Sequence, residues 1–288
     1  MVAGWPVDAA AAGVVRWHPA AADGAGELGP SVTTGDLRRS YPWASVTKPA
    51  TALAVLVAVE EGTLGLDSPA GPPGSTVRHL LAHASGLGPE PGPPVAPPGA
   101  RRIYSNAGYL TVAASLESAS GMAFADYLAE GVLEPLGMSG TALVDTSAGA
   151  PAAGLAGPLT DLLALAREWA RPTLVSPTTW RQATSVQFDG LAGVLPGFGP
   201  FAPCDWGLGV ELRGGKRPHW TGPSNSPATY GHFGQSGSFL WVDPVAGALC
   251  CGLADRPFGP WAARAWPALA EAVLASSANG TPDDPTGR

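Results

Sequence analysis

Charge is scarce in this chain. Only 14% of its 288 residues are Asp, Glu, Lys or Arg, and the balance is acidic, with a net charge of −7. No basic face is available to neutralise phosphates, which excludes nucleic acid and anionic membrane surfaces as partners. Lysine is scarcer still. The 16 basic residues include two lysines, Lys48 and Lys216; the rest are arginine. The three cysteines, Cys204, Cys250 and Cys251, are odd in number and two are adjacent. That pattern excludes a disulfide framework or a cysteine metal site, and reads as small buried hydrophobes in a reducing compartment. No run of about 18 apolar residues is present, so no transmembrane helix is expected. The first residues, MVAGWPVDAAAAGVV, lack a basic segment and are interrupted by Pro6 and Asp8. They do not read as a signal peptide, and the expected location is cytoplasmic.

What is present is apolar content of 45%, enough for a real core, with 39 glycines and 31 prolines that call for many backbone-defined loops. The stretch that organises the rest is YPWASVTKPATALAVLVAVEEG, residues 41–62. Its run from Leu53 to Val59 is almost wholly apolar and predicts a helix buried on most sides, with Gly62 as its stop. Ser45 sits at the N-terminal end, where free N–H groups favour negative charge. Lys48, three residues on, reaches the serine from the same face. Unlike arginine, a desolvated lysine can give up its proton, so the pair is a nucleophile with a candidate base beside it.

Along the chain, residues 9–17 and 26–36 predict an antiparallel strand pair joined through Asp23 and Gly24. Helices are expected at 76–83, 109–116, 123–133 and 159–171. Strands are expected at 206–212, 237–243 and 248–253, and a helix at 261–276, kinked or restarted at Pro267. The Pro-rich segment 89–99 predicts a semi-rigid rim. His79 and His83 have the i, i+4 spacing of zinc ligands on a helix. Leu80 stands where a metalloprotease has its glutamate and no third ligand is evident, so they read as structural histidines with no metal expected. Strands at both ends and helices in the middle imply a mixed domain with a cleft between its parts.

Three stretches fall in order: Ser45-Val46-Thr47-Lys48, Tyr104-Ser105-Asn106 and Gly231-His232-Phe233-Gly234-Gln235-Ser236-Gly237. They resemble the S-x-x-K, Y-x-N and K-T-G elements of serine β-lactamases and penicillin-binding proteins. Tyr104 and His232 are similar to the class C β-lactamase-related branch, with its D-alanyl-D-alanine carboxypeptidases and family VIII carboxylesterases. LLAHASGL at 80–87, PLGM at 135–138, TDL at 160–162 and the W-G-L-G segment extend the likeness over roughly residues 9–276. The resemblance implies an α+β, β-lactamase/transpeptidase-like fold, an antiparallel sheet flanked by N- and C-side helices plus a helical subdomain. The expected layout is one catalytic domain over 1–278, with 1–66 and 181–278 as its α/β part and 67–180 as its helical part, and a disordered tail at 279–288.

The same resemblance implies a serine hydrolase. Ser45 would form an acyl-enzyme, with Lys48 and Tyr104 as general base and acid; which of the two is the resting base stays open, and a cationic neighbour would favour a tyrosinate. Asn106 would hold Lys48 and bind the substrate carbonyl. His232 and Gly234 would bind substrate, the strand after His232 would run along the cleft edge, and the N–H groups of Ser45 and Gln235 would form the oxyanion hole. No cofactor is implied, and the partner is a small ester, amide or β-lactam. One departure bears on substrate: Phe233 stands where K-T-G has a hydroxyl, and His232, near its own pKa, supplies only part of the lysine's charge. With Val194, Leu195, Phe198 and Phe201 as an expected apolar wall, ester or amide hydrolysis is the first expectation. A β-lactamase or D-alanyl-D-alanine carboxypeptidase is the alternative, and a non-catalytic penicillin-binding-like module the third.

Overall fold

The computed structural model describes residues 1–19, 27–144 and 149–276. The Asp23–Gly24 connection and the 279–288 tail expected from sequence lie outside the described residues. In chain order the strands are β1 (Ala10–Arg16), β2 (Ser31–Thr34), β3 (Tyr41–Pro42), β4 (Ala142–Leu143), β5 (Leu155–Gly157), β6 (Gly193–Leu195), β7 (Gly199–Phe201), β8 (Glu211–Leu212), β9 (Tyr230–Gly234), β10 (Ser238–Asp243) and β11 (Ala248–Ala254). The helices are α1 (Thr47–Glu60), α2 (Val77–Leu81), α3 (Asn106–Ser120), α4 (Phe124–Leu128), α5 (Ala150–Ala153), α6 (Leu159–Ala170), α7 (Pro177–Ala183) and α8 (Pro260–Ala275). The main sheet has the order β2-β1-β11-β10-β9-β8 and is antiparallel throughout. This is the α+β, β-lactamase/transpeptidase-like fold.

β11 explains the adjacent cysteines. It pairs on both sides, with β1 and β10, and is buried along its whole length. Side chains alternate across a strand, so Cys251 enters the core under α1 and α6 while Cys250 enters the one under α8. The three cysteines are free and buried. Helix α1 is buried from Thr47 to Leu56, as its apolar run requires, and Gly62 beyond it takes the left-handed conformation, φ 77°. α8 runs through Pro267 as a single helix, without the expected restart.

One expected strand changes. Residues 206–212 do not form one strand: Trp206 bridges back to Glu211, Gly209 adopts φ 97°, and only Glu211–Leu212 pair with β9. At this turn Gly209 lies so close to α1 that a Cβ would press into Ala52, so glycine is required there. His232 lies inside β9, and β8 pairs only with Tyr230 and Gly231 before it. Among the described helices none is long and apolar enough to cross a membrane.

Candidate active site

Ser45 sits on a single 3-10 turn, Ala44–Val46, that feeds α1. Ala44 is held at φ 44°, unusual for a residue with a side chain and typical of turns that must present one atom. The turn is braced by the Trp43 indole, which donates to the Gly157 carbonyl at 3.1 Å, and by the sheet, where Ser238 Oγ donates to the Trp43 carbonyl at 2.6 Å. Gly234 passes so close that a Cβ there would overlap Trp43 O and Ser238 Oγ.

Lys48 lies one turn along and is fully buried. Its Nζ donates to Ser45 Oγ at 3.3 Å, Asn106 Oδ1 at 2.8 Å and the Ala152 carbonyl at 3.0 Å, and lies 4.8 Å from the centre of the Tyr104 ring. Burial pushes the Lys48 amine down to about 7, against a smaller upward pull from Glu90. Tyr104 and Asn106 flank the N-cap of α3. Ser105 Oγ accepts from Gly108 N–H at 2.9 Å and donates to the Gly88 carbonyl, which fixes the neighbours on either side. Burial drives the Tyr104 phenol well above its ordinary value, against a smaller downward pull from the Ser45 hydroxyl. A desolvated tyrosine resists losing its proton, so the neighbouring lysine does not make it a tyrosinate.

His83 and Trp206 were not read as part of the site. His83, at φ 55°, accepts from the Ser105 N–H through Nδ1 at 3.1 Å, and its ring lies 4.6 Å from both Tyr104 and Trp206. It holds the second element in place, while His79 bonds Thr76 and stacks on Phe188. Trp206 reaches the site because the chain doubles back at Gly209.

His232 is buried and neutral. Its Nδ1 lies 2.8 Å from the Phe233 carbonyl, and burial and the nearby Lys48 push it down to about 3. The expected partial charge is therefore absent. Its ring, with Ser45, Tyr104, Leu195, Phe233 and Gln235, lines a cavity of about 40 Å³, space for roughly three water molecules. Only part of the expected apolar wall is there. Leu195 faces the cavity and Phe198 stacks edge-on against Phe233, but Val194 is exposed and shares a separate groove with Phe201. Alternation along β6 accounts for the split between Val194 and Leu195.

At the floor stands a cluster that sequence reasoning passed over. Glu211 is buried, 2.8 Å from Lys216 Nζ, 2.9 Å from His219 Nε2 and 2.8 Å from the Trp220 indole nitrogen. Burial alone would raise its carboxyl, but His219 and Lys216 hold it down at about 2. Both lysines of the chain are thus buried at this one site, and their rarity was the signal available.

The family model described as Beta-lactamase matches residues 21–286. A crystal structure of a beta-lactamase from Mycobacterium bovis is 51% identical, covering 95% of this chain and 96% of that one, with a TM-score of 0.88. Penicillin-binding protein 4* of Bacillus subtilis is 33% identical over 134 residues. That match covers 35% of this chain and 30% of the relative, so the chain spans under a third of that protein's length. The hydrolase EstCE1, described as having promiscuous acyltransferase activity, shares the fold at 18% identity, covering 92% of this chain and 93% of that one, with a TM-score of 0.72.

Proposed function

The chain belongs to the beta-lactamase family, and from that footing we propose that it hydrolyses small, uncharged carboxylic esters or amides through an acyl-enzyme on Ser45. The observation that carries this reading is Lys48 Nζ, 3.3 Å from Ser45 Oγ and desolvated to about 7. An amine titrating there is half free near neutral pH and can take the serine proton. Lys48 is then the resting base. Tyr104, which lines the same cavity as Ser45 and is reluctant to ionise, is the acid that hands a proton to the leaving group. Asn106 fixes the lysine through Oδ1, and its amide nitrogen, now 3.5 Å from Glu90 Oε1, is the group that would bind the substrate carbonyl. The N–H groups of Ser45 and Gln235 form the oxyanion hole, where one donor is typically worth about 3 kcal/mol. Lys48 then passes the serine's proton to Tyr104, which restores both groups; water admitted after the alcohol leaves is deprotonated by the freed amine, and the proton returns to the Ser45 oxygen as the acid is released.

The β-lactamase and carboxypeptidase readings rank lower because both require a partner for a substrate carboxylate. Neutral His232 and buried Phe233 supply no positive charge and no hydroxyl. A panel of short-chain p-nitrophenyl esters, nitrocefin and D-Ala-D-Ala peptides tests the assignment. Ester turnover is expected, with nitrocefin weak or inert; efficient cephalosporin turnover with poor ester turnover overturns it. A module that only binds would be labelled once at Ser45 and would not turn over any of the three.

A further inference from the structure

Glu90 stands at the mouth of the site with no cation paired to it. It is exposed on the Pro-rich rim, and its Oε1 accepts from Asn106 Nδ2 at 3.5 Å. Asn106 Oδ1 in turn accepts from Lys48 Nζ, which donates to Ser45 Oγ, so three hydrogen bonds lead from the carboxylate to the nucleophile. The rim is fastened just before Glu90. The Pro89 carbonyl accepts from the N–H groups of Asn106 and Ala107 at 3.0 and 3.3 Å, and the Gly88 carbonyl accepts from Ser105 Oγ at 2.6 Å. Pro89 and Pro91 restrict the backbone on either side. The carboxylate is thereby kept beside Asn106.

The surrounding groups leave its charge unbalanced. Glu90 forms no ion pair among the described residues. Arg102 is turned inward onto the carbonyls of Ala82, Gln187 and Cys204, and Arg101 lies in the separate groove with Val194 and Phe201. In the cavity beside Ser45 the charged lining residue is Glu211, an anion already paired with Lys216. Lys48 takes the serine proton as a free amine, so the resting base does not neutralise Glu90 either. A substrate whose carbonyl takes the Asn106 amide comes to rest beside an unpaired carboxylate.

We propose that Glu90 is the charge-selecting residue of the mouth, favouring esters or amides that carry an ammonium group over their uncharged twins and disfavouring those that carry a carboxylate. The inference rests on the acyl-enzyme reading and adds to it the charge of the substrate. An exposed charge acts over about 10 Å at moderate salt, so the selection applies to either half of the substrate.

The test puts the charge on each half in turn. On the acyl side, p-nitrophenyl 4-(trimethylammonio)butanoate is compared with its carbon twin, the 5,5-dimethylhexanoate, and with mono-p-nitrophenyl glutarate as the anion. On the leaving-group side, acetylthiocholine is compared with 3,3-dimethylbutyl thioacetate. Ratios of kcat/KM are taken within each protein, so intrinsic reactivity and any general loss of activity cancel when parent and variant are compared. In Glu90→Gln the ratio of cation to neutral twin should fall roughly two- to fivefold at low salt, and in Glu90→Lys by about tenfold or more, with the ratio of anion to neutral rising. In about 0.5 M salt these changes should shrink. Fluorophosphonate labelling of Ser45 confirms a folded site in each variant. A change confined to one pair supports the proposal and shows which half lies against the rim. Ratios that stay put in both variants for both pairs, or that change as much in high salt, overturn this inference alone. Failure of every ester to acylate Ser45 overturns the hydrolase reading and this inference with it.

Discussion

Ser238 Oγ donates a 2.6 Å hydrogen bond to the carbonyl of Trp43, joining β10 to the turn that carries Ser45 across 195 positions of sequence. The position of Ser45 is therefore set by the sheet as much as by the helix it opens. Gly234 completes that contact by having no side chain. Gly234→Ala must push the turn away, and a displacement on the order of 1 Å can cost roughly 10²-fold. The rate of fluorophosphonate labelling at Ser45 should fall by about that factor; an unchanged rate removes Gly234 from this role.

Lys48 should govern the pH profile. Its amine is buried down to about 7, so acylation should rise as pH passes that value and then level off. A tyrosinate base would put the rising limb well above pH 10, since Tyr104 is shifted upward. The sign for stability is the same. The unfolded chain keeps the lysine proton up to its ordinary 10.5 while the folded chain releases it near 7, so this group's contribution to stability increases with pH between those values. Lys48→Arg keeps the charge and should be inactive at every pH.

Ser45→Ala should lose turnover by several orders of magnitude and keep its melting temperature, because it removes only the attacking oxygen. Tyr104→Phe removes one hydroxyl and should cost about 10²–10⁴ in rate without moving the limb near pH 7. Steady-state rates on one p-nitrophenyl ester from pH 5 to 9 check both. A near-normal Tyr104→Phe would leave Lys48 handling both proton transfers.

Phe233 sits among Phe258, Trp220 and Trp266, with ring centres 4.9 to 5.9 Å away. Phe233→Thr restores the hydroxyl of K-T-G and should raise the ratio of β-lactam to ester acylation. It also leaves a void in that cluster, at a cost of about 3 kcal/mol or more. Acylation rates of the folded fraction are the measurement. A ratio that does not move means that Phe233 is not what excludes the carboxylate.

Lys216→Met takes the ammonium from the buried Glu211 carboxylate and leaves it with His219 and the Trp220 indole. Removing one partner of such a pair costs about 3–5 kcal/mol, whereas replacing both with apolar residues is often close to neutral. Denaturant melts should therefore show Lys216→Met far below the parent and the Lys216→Met, Glu211→Leu pair much nearer to it. Equal losses would mean that the pair is stabilising in its own right.

The parts of the site that could be read from sequence are those a few residues apart on one element. Ser45 and Lys48 share a helix start, Tyr104 and Asn106 flank one cap, and the glycines around His232 mark a close approach. The alternation that sends Cys250 and Cys251 into different cores has the same local origin. The Glu211, Lys216 and His219 cluster was not legible, because its members are brought together by the turns between β8 and β9 and carry no motif. The W-G-L-G segment misled for a related reason. Its apolar residues match a strand, but the chain turns at Gly209, where only glycine fits against Ala52 of α1. The state of His232 depends on burial and on Lys48, neither of which its neighbours in sequence reveal.

β1 finds its partner β11 late. In the main sheet it lies between β2 and β11, and its Ala10 is opposite Ala254. During synthesis, then, the first strand and the Ser45 helix leave the ribosome long before the strand that closes the sheet over them. Pairings so distant in sequence are slow to form. A nascent chain lacking β11 holds the Ser45 and Lys48 motif but not β10, β9 and their brace in finished form, so it carries the nucleophile without the geometry to use it. Chemistry in this protein begins only once almost the whole chain has been made, and an apolar α1 has to be kept from other chains until then.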